Sequence, residues 1–216
     1  MGIFRFFRRD DRSEEPAPDA KGGARPTRHS SGLGEMTKFL AGKEGLSILD
    51  LGPTSPHNIS LLTGLGHRVH NEDVLLASLD PAYVAQGDDG SKQIKVVQFL
   101  SENLSNTGEK FDAVLCWDIP DYLHESLVKV LIERLASIMK PGGVLLAFFH
   151  TKDAGPDAPY YRYHIAGKDS LSLQRGPQFR LQRVFNNRHI ENLFRDFSNI
   201  KFFLARDNVR EVLVVR

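Results

Sequence analysis

The sequence has little of several residue types, and each shortage excludes a class of protein. Its 216 residues include one cysteine, Cys116, so it can form neither an internal disulfide nor a site built from several cysteines. We therefore expect a reducing compartment and a cytoplasmic location. Cys116 lies in the apolar stretch FDAVLCW, which is typical of a cysteine that packs as a small buried hydrophobe.

Net charge is also small, and long apolar runs are missing. The formal net charge is +1, so bulk charge gives no indication of nucleic-acid binding. No apolar run reaches the roughly 20 residues that a membrane-spanning helix needs, so no transmembrane segment is predicted. Residues 1–9, MGIFRFFRR, mix apolar and cationic side chains, a composition compatible with weak contact with an anionic membrane. The eight histidines show no metal-ligand spacing, so no metal site is predicted.

Composition divides the chain into a tail and one domain. Residues 10–35 are rich in proline, glycine, serine and charge and offer almost nothing to bury. We predict a disordered tail over residues 1–35 and a single domain over residues 36–216. Within that domain, residues 160–216 are net positive and residues 36–159 net negative. This asymmetry favours an anionic substrate or self-association, so a homo-oligomer is one possibility.

Strand and helix patterns alternate through the domain. Apolar runs that suit strands buried on both faces occur at residues 46–52, 111–117 and 144–150, with a further strand predicted at 67–73. Between them, Ser55 and Pro56 are typical of a helix start. Residues 94–100, IKVVQFL, are predicted as a third strand, although their second half also suits a helix. The alternation predicts a three-layer α/β fold that binds ligands at the carboxyl ends of its strands.

Four stretches in this order carry a family resemblance: ILDLG; GHRVHNED, which ends in an acid; FDAVLCWDIPDYL; and MKPGGVLLAFF. Together they resemble the Rossmann-like S-adenosylmethionine-dependent methyltransferases, over roughly residues 36–216. The resemblance implies a mostly parallel sheet in the order 3-2-1-4-5-7-6, closed by a C-terminal antiparallel hairpin. It also implies S-adenosylmethionine as cofactor and methyl transfer to an unidentified small or medium-sized acceptor.

The same resemblance implies which residues hold the cofactor. The methionine end would lie at Asp50 and the turn behind it, and an acid at the end of the next strand would accept the ribose hydroxyls. Adenine would lie among apolar residues, and the loop after the fourth strand would cover the methionine end. The residues so implied are Asp50, Gly52, Pro53, Thr54, Ser55, Glu72 or Asp73, Val74, Phe99, Leu100, Trp117 and Asp118.

The turn after the first strand departs from the family pattern. It has one matching glycine, Gly52, and Pro53 and Pro56 remove two backbone N–H donors. The hydroxyls of Thr54 and Ser55 are candidates to replace some of the lost contacts. The missing glycines also argue against a dinucleotide oxidoreductase, which needs G-x-G-x-x-G. The alternative function is therefore a non-catalytic binding or scaffold protein that retains the methyltransferase fold.

Two further features leave their roles open. His150 ends the fifth predicted strand, where it could act as a general base, cap the strand or contact a substrate. Asp121 is predicted as a helix N-cap. Residues 159–164, PYYRYH, are either a lid over a substrate or a hairpin face packed on the sheet, with a hairpin turn at AGKD.

Overall fold

A computed structural model describes residues 25–86, 92–105, 108, 110–151, 159–205 and 207–216. Residues 1–24, which include most of the predicted tail and the whole segment predicted to contact membranes, lie outside the described residues. In chain order the elements are β1 (Thr27–His29), α1 (Ser31–Leu40), β2 (Ser47–Asp50), α2 (Pro56–Gly64), β3 (Arg68–Asn71), α3 (Val74–Ala77), a 3-10 turn (Pro81–Tyr83), β4 (Val84–Gln86), β5 (Lys92–Ile94), α4 (Val96–Asn103), β6 (Phe111–Trp117), α5 (Ile119–Tyr122), α6 (Glu125–Ile138), β7 (Met139–His150), β8 (Tyr161–Ile165), β9 (Ser170–Arg175), α7 (Asn187–Leu193), β10 (Asn199–Leu204) and β11 (Val209–Val215).

The central sheet has six strands in the order β10-β11-β7-β6-β2-β3. Strands β3, β2, β6 and β7 are parallel, whereas β11 runs antiparallel to both β7 and β10. Two apolar clusters cover the two faces: one packs α4, α6 and α7 on the sheet, and the other packs α1, α2 and the β8–β9 hairpin. The prediction of a three-layer, mostly parallel α/β fold closed by an antiparallel hairpin is confirmed.

The predicted third strand is wrong. Residues 96–103 form α4, and Lys92–Ile94 pairs with β4 in a separate two-stranded sheet. Val96, Phe99 and Leu100 follow helical spacing, and Phe99 is fully buried in the core. The free energy gained by burying this apolar face as a helix exceeds the strand preference of the two adjacent valines. The central sheet of the described residues therefore lacks the third strand of the predicted order.

Local end signals were more reliable than strand propensity. Ser55 caps α2 by accepting a hydrogen bond from the backbone N–H of Asn58, with Pro56 in the first turn. The AGKD turn closes the β8–β9 hairpin through the 2.9 Å bond from Ala166 N to Ser170 O. Asp121, in contrast, is not an N-cap: it lies buried within α5, whose N-cap is Asp118.

Residues before the predicted boundary at residue 35 form regular secondary structure. Strand β1 pairs with β9, and α1 begins at Ser31. Buried Glu211 on β11 accepts hydrogen bonds from Gly32 N at 2.6 Å and Ser30 Oγ at 3.0 Å, and its other oxygen lies 2.7 Å from Arg28 Nη1. Residues 27–35 are therefore part of the domain, because the Glu211 carboxylate, 179 or more residues away in the chain, accepts the hydrogen bonds of the buried Ser30 hydroxyl and Gly32 N–H.

Replacing Glu211 with glutamine should destabilise the domain. The amide keeps the volume of the side chain but leaves the buried Arg28 guanidinium with less negative charge. Losing one partner of a buried pair costs several kcal/mol, and we expect about 2–3 kcal/mol here because Asp207 also pairs with Arg28. Urea unfolding followed by circular dichroism measures this. Glu35→Gln, which breaks an exposed pair with Lys38, is the control and should leave the midpoint almost unchanged. Equal midpoints for the two variants would contradict the prediction.

Candidate functional site

The carboxylate of Asp50 organises the carboxyl end of β2. Its side chain is 2% exposed, and burial raises its pKa. Oδ1 accepts hydrogen bonds from Gly52 N at 3.1 Å and from the indole Nε1 of Trp117 at 2.7 Å. Oδ2 accepts one from the side-chain amide of Asn58 at 3.3 Å. A single buried acid therefore joins the strand, the turn, helix α2 and the end of β6.

The two hydroxyls of the proline-rich turn are bound within the protein. Thr54 Oγ1 donates to Asn71 Oδ1 at 2.5 Å, and the Asn71 amide donates in turn to the carbonyls of Asp50 and Gly52 at 3.1 and 2.8 Å. Ser55 caps α2 and lies 2.8 Å from His164 Nδ1. Pro53, which precedes both residues, is half-buried. These contacts fix the conformation of the turn without the glycines that the family pattern has.

Gly52 allows the close approach of Trp117. A β-carbon at Gly52 would lie 2.9 Å from Trp117 Cδ1, closer than such atoms approach. Trp117 ends β6 with a φ of 53°, which turns its ring over the Gly52 turn. The indole stacks on Tyr163 of β8, with 5.2 Å between ring centroids and 11° between planes. Trp117 is 3% exposed, because its indole is packed between the Tyr163 ring of the β8–β9 hairpin on one side and Gly52 on the other.

The two acids after β3 differ in their surroundings. Asp73 is half-buried and caps α3 by accepting a 3.0 Å hydrogen bond from Leu76 N. Burial raises the pKa of Asp73, opposed by that hydrogen bond and by the charge of Arg162 on β8. Glu72 is exposed, and its backbone N–H donates to the Asp50 carbonyl at 2.9 Å. Asp73 is therefore the more buried of the two acids and the one on which the charge of Arg162 acts.

The residues implied for adenine lie in the core cluster. Val74 and Phe99 are both 0% exposed, and Phe99 packs edge-on against Tyr83 at 5.2 Å between centroids. Leu100 is half-buried against the same cluster. The structure brings Asp50, Gly52, Ser55 and Trp117 together, whereas Val74 and Phe99 present no exposed surface to a ligand.

A second group of buried polar side chains lies at the ends of β6 and β7. We call Asp118, Asp121, Tyr122 and His150 the acid–histidine cluster. Asp121 Oδ2 accepts hydrogen bonds from His150 N at 2.6 Å and His150 Nδ1 at 2.9 Å, and Asp118 Oδ2 accepts one from the Tyr163 hydroxyl at 2.9 Å. The pairing of Asp121 with His150 resembles the arrangement in many proton-transfer sites, where a carboxylate orients a histidine that acts as the base.

Burial shifts the titration of this cluster. It raises the pKa of Asp118 to about 7 and that of Asp121 to about 6, and the proximity of His150 limits both rises. Burial alone would lower the pKa of His150, but the hydrogen bond to Asp121 and the charge of Asp118 raise it. With pKa values of about 7 and about 6, Asp118 and Asp121 change their charge close to neutral pH.

Three atoms of the cluster have no hydrogen-bond partner among the described residues. They are Asp118 Oδ1, Asp121 Oδ1 and the Tyr122 hydroxyl, all buried. The Tyr122 ring stands edge-on to His150 at 5.7 Å and to Tyr160 at 5.2 Å. Because an unsatisfied buried polar atom costs free energy, these atoms are suited to contact a bound molecule.

Sequence reasoning missed the residues that connect these two sites. Asn58 has no local signal beyond its place in the first turn of α2, yet its amide also binds Tyr163 O at 3.1 Å. Tyr163 and His164 lie in the PYYRYH segment, which forms β8 and packs its face on the sheet, the second of the two predicted alternatives. For Asp121, the sequence predicts only a role as a helix cap. All four residues act through long-range partners.

No group of three or more His, Cys, Asp or Glu side chains in the described ranges is arranged to hold a metal ion. No helix in the part of the chain that the structure describes is both long and apolar enough to cross a membrane.

Comparison with known proteins identifies the family. A family model described as a methyltransferase domain matches residues 27–198. The chain belongs to the methyltransferase-domain family. This confirms the resemblance found in the sequence, and the match begins at the first residue of β1, inside the segment that composition had assigned to the tail. No curated protein matches the sequence of this methyltransferase-domain protein.

Several solved structures are similar in fold. They include 1,6-didemethyltoxoflavin-N1-methyltransferase from Burkholderia thailandensis, with bound 1,6-didemethyltoxoflavin and S-adenosylhomocysteine (14% identity, 87% of this chain and 79% of that chain, TM-score 0.49). TehB from Haemophilus influenzae matches at 14% identity over 85% of this chain and 61% of that chain, TM-score 0.48. Magnesium protoporphyrin IX methyltransferase from Synechocystis PCC 6803, with bound S-adenosylmethionine, matches at 18% identity over 85% and 77%, TM-score 0.45.

The raised pKa of Asp118 predicts a pH-dependent stability difference for Asp118→Asn. The folded wild-type protein holds the Asp118 proton up to about pH 7, so ionisation of this acid costs stability as pH rises from about 4 to 7. The asparagine variant has no such cost and should gain on the wild type by at least about 1.4 kcal/mol, one pKa unit, between pH 5 and pH 8. Urea unfolding at both pH values measures this gain.

Tyr163→Phe is the companion variant. It removes the hydroxyl that donates to Asp118 Oδ2, so its loss of stability should be larger at pH 8 than at pH 5. Parallel pH curves for the wild type and Asp118→Asn would contradict the prediction.

Proposed function

We propose that the chain binds S-adenosylmethionine at the carboxyl ends of β2, β3 and β6 and transfers its methyl group to a small or medium-sized acceptor beside the acid–histidine cluster. One observation carries the proposal: in a domain of the methyltransferase family, the Asp50 carboxylate is fixed beneath the Gly52 turn by three donors. This arrangement supports the proposal, because the ligand's ammonium needs an acid nearby and its carboxylate needs a close approach to the backbone at the carboxyl end of a strand.

The charge at this edge of the sheet suits a cation. Burial raises the pKa of Asp50, Asp73, Asp118 and Asp121, and each rise reports that ionisation is disfavoured there. S-adenosylmethionine carries a sulfonium and an ammonium group. Either cation, brought near these acids, stabilises their ionised forms and offsets part of the desolvation cost. The electrostatics therefore support the methylated, positively charged cofactor over its neutral-sulfur product.

In this proposal the residues divide the work. Asp50 orients the Gly52 turn, and the half-buried Asp73 offers a carboxylate oxygen to the ribose hydroxyls. Trp117, which packs on the turn, flanks the methionine end. Since Asp121 holds Nδ1 of His150, the other ring nitrogen is the one available to an acceptor.

The methyl transfer itself needs alignment more than acid–base chemistry. S-adenosylmethionine would supply the methyl group from its sulfonium, which would leave as a neutral thioether. A hydroxyl acceptor would give its proton to Nε2 of neutral His150 as it is methylated, and a protonated amine would give up its proton there before its lone pair attacks. The protein contributes mainly by holding nucleophile, methyl and sulfur in line.

A second candidate rests on Trp117. Its indole fills the space beside Gly52, Pro53 and Pro56 lack N–H groups, and the turn hydroxyls bond within the protein. These features favour a non-catalytic binding or scaffold protein that has kept the methyltransferase fold. The two candidates differ in whether the turn accepts the cofactor, which a binding experiment decides.

Calorimetric titration with S-adenosylhomocysteine tests the cofactor site. We expect micromolar binding to the wild type and at least about 10-fold weaker binding to Asp73→Asn, because one ribose acceptor loses its charge. Asparagine is a good N-cap, so α3 should be kept. Asp80→Asn is the matched control, since Asp80 also caps a helical turn, through Ala82 N at 2.8 Å, but lies outside the site. It should bind like the wild type.

The outcomes separate the two candidates. Loss of binding in Asp73→Asn alone supports the cofactor site. No binding to the wild type at millimolar ligand overturns the enzyme proposal and favours the scaffold candidate. Equal weakening in both variants would show that the effect is not specific to the ribose position.

Comparing the methylated and demethylated ligands tests the charge argument. A sulfonium near Asp118 lowers the pKa of that acid from about 7, so binding at pH 7 should release up to about half a proton more with S-adenosylmethionine than with S-adenosylhomocysteine. Titrations in phosphate and Tris, whose ionisation enthalpies differ, measure the released protons.

Asp118→Asn should abolish this difference between the ligands. The control is Asp112→Asn, near the start of β6, whereas Asp118 follows the end of that strand. Asp112 pairs with Lys140, and its variant should preserve the difference. Equal proton release with both ligands in the wild type would place the sulfonium away from Asp118.

A further inference from the structure

A large apolar cavity lies on the face of the sheet covered by α1 and α2. Its volume is about 490 Å³, within the range of small-molecule sites. Its walls are largely aliphatic and come from both helices, the sheet and the β8–β9 turn: Leu33, Met36, Leu40, Ile48, Leu62 and Ile165. None of its lining residues belongs to the Asp50 site or the acid–histidine cluster.

One buried polar group lines this cavity. His67 is 5% exposed, and its Nδ1 has no hydrogen-bond partner among the described residues. Burial lowers the pKa of His67, so the ring is neutral at pH 7 and can donate or accept one further hydrogen bond. An orphaned nitrogen in an otherwise apolar wall is costly unless a bound molecule contacts it.

Two lysines also line the cavity at its exposed side. The bond from Gly45 N to Gly66 O, 2.8 Å, holds the loop of Lys43 beside His67. The bond from Thr37 Oγ1 to Lys168 O, 2.7 Å, holds the β8–β9 turn against α1. The Lys43 ammonium lies over the Phe39 ring, 3.6 Å from its centroid. Among the described residues that line the cavity, Lys43 and Lys168 are cationic and none is acidic. Glu44 and Asp112, whose charges act on His67, are not among the lining residues.

We propose that this cavity binds an amphipathic anion, an alkyl-chain carboxylate, with the chain in the aliphatic walls and the carboxylate beside Lys43, Lys168 and His67. Burial of the alkyl chain supplies most of the affinity, at about 0.8 kcal/mol for each methylene removed from water. The lysines select the sign of the head group, and His67 Nδ1 donates to a carboxylate oxygen. This site is separate from the proposed cofactor site and does not depend on it.

Charge argues against the chain's own N-terminus as the occupant. Residues 1–9 are the apolar segment of the N-terminal region, and they carry three arginines and no acid. The lysines at the cavity would repel that segment, whereas they attract a carboxylate. The ligand is therefore an anion supplied from solution.

Titration of the full chain with sodium decanoate tests the proposal. We expect one molecule bound per chain and at least 10-fold weaker binding of decyltrimethylammonium, which has the same chain length and the opposite charge. Lys43→Glu/Lys168→Glu should weaken decanoate at least 10-fold, whereas Lys95→Glu/Lys129→Glu, two exposed lysines elsewhere, should change it less than twofold. His67→Phe, which keeps a ring but loses Nδ1, should weaken binding severalfold.

A cavity-filling pair controls for folding. Leu65 lines the cavity and is 54% exposed, and Leu76 is 57% exposed away from it. Leu65→Trp should reduce decanoate binding while Leu76→Trp does not, with similar melting temperatures for both. Equal binding of the two detergents, more than one decanoate per chain, or binding only after deletion of residues 1–24 would each overturn the proposal.

Discussion

The buried carboxylate of Asp50 determines the arrangement of the candidate site. Its three donors lie on the turn, on α2 and on β6, so the ends of two strands and a helix share one anion. Asn58 extends the connection, because its amide also binds the β8 backbone at Tyr163 O and its carbonyl accepts from Ile165 N at 2.8 Å. The hairpin that covers the site is thus positioned by the same acid that shapes the turn.

The sequence predicted those parts of the fold that depend on local patterns. Buried parallel strands, the Ser55 cap and the AGKD hairpin all have short-range signals, and all are confirmed. The third strand was predicted wrongly because a run with two adjacent valines fits strand and helix alike, and only the burial of Phe99 decides. The boundary at residue 35 was wrong because Glu211, the partner of Ser30 and Gly32, is invisible to composition.

The sequence predicts the residues of the candidate site that lie at the ends of strands, but not the residues that other segments of the chain bring to it. Asp50, Gly52 and Trp117 follow from the rule that ligands bind at the carboxyl edge of a parallel sheet, and the structure brings them together. Which side chains complete the site depends on contacts between distant segments, such as Tyr163 with Asp118. The lone glycine has a different physical reason from the expected one: it accommodates an indole ring.

The contacts of Glu211 with residues 28–32 also constrain the order of folding. β1 and α1 depend on a side chain of β11, and β11 lies between β7 and β10 rather than at an edge of the sheet. During synthesis, residues 28–32 therefore gain these contacts only after residue 211 has left the ribosome, and until then the edge of β7 that pairs with β11 is open. Closure between such distant segments slows folding, and an open strand edge is prone to aggregation, which chaperones are suited to prevent.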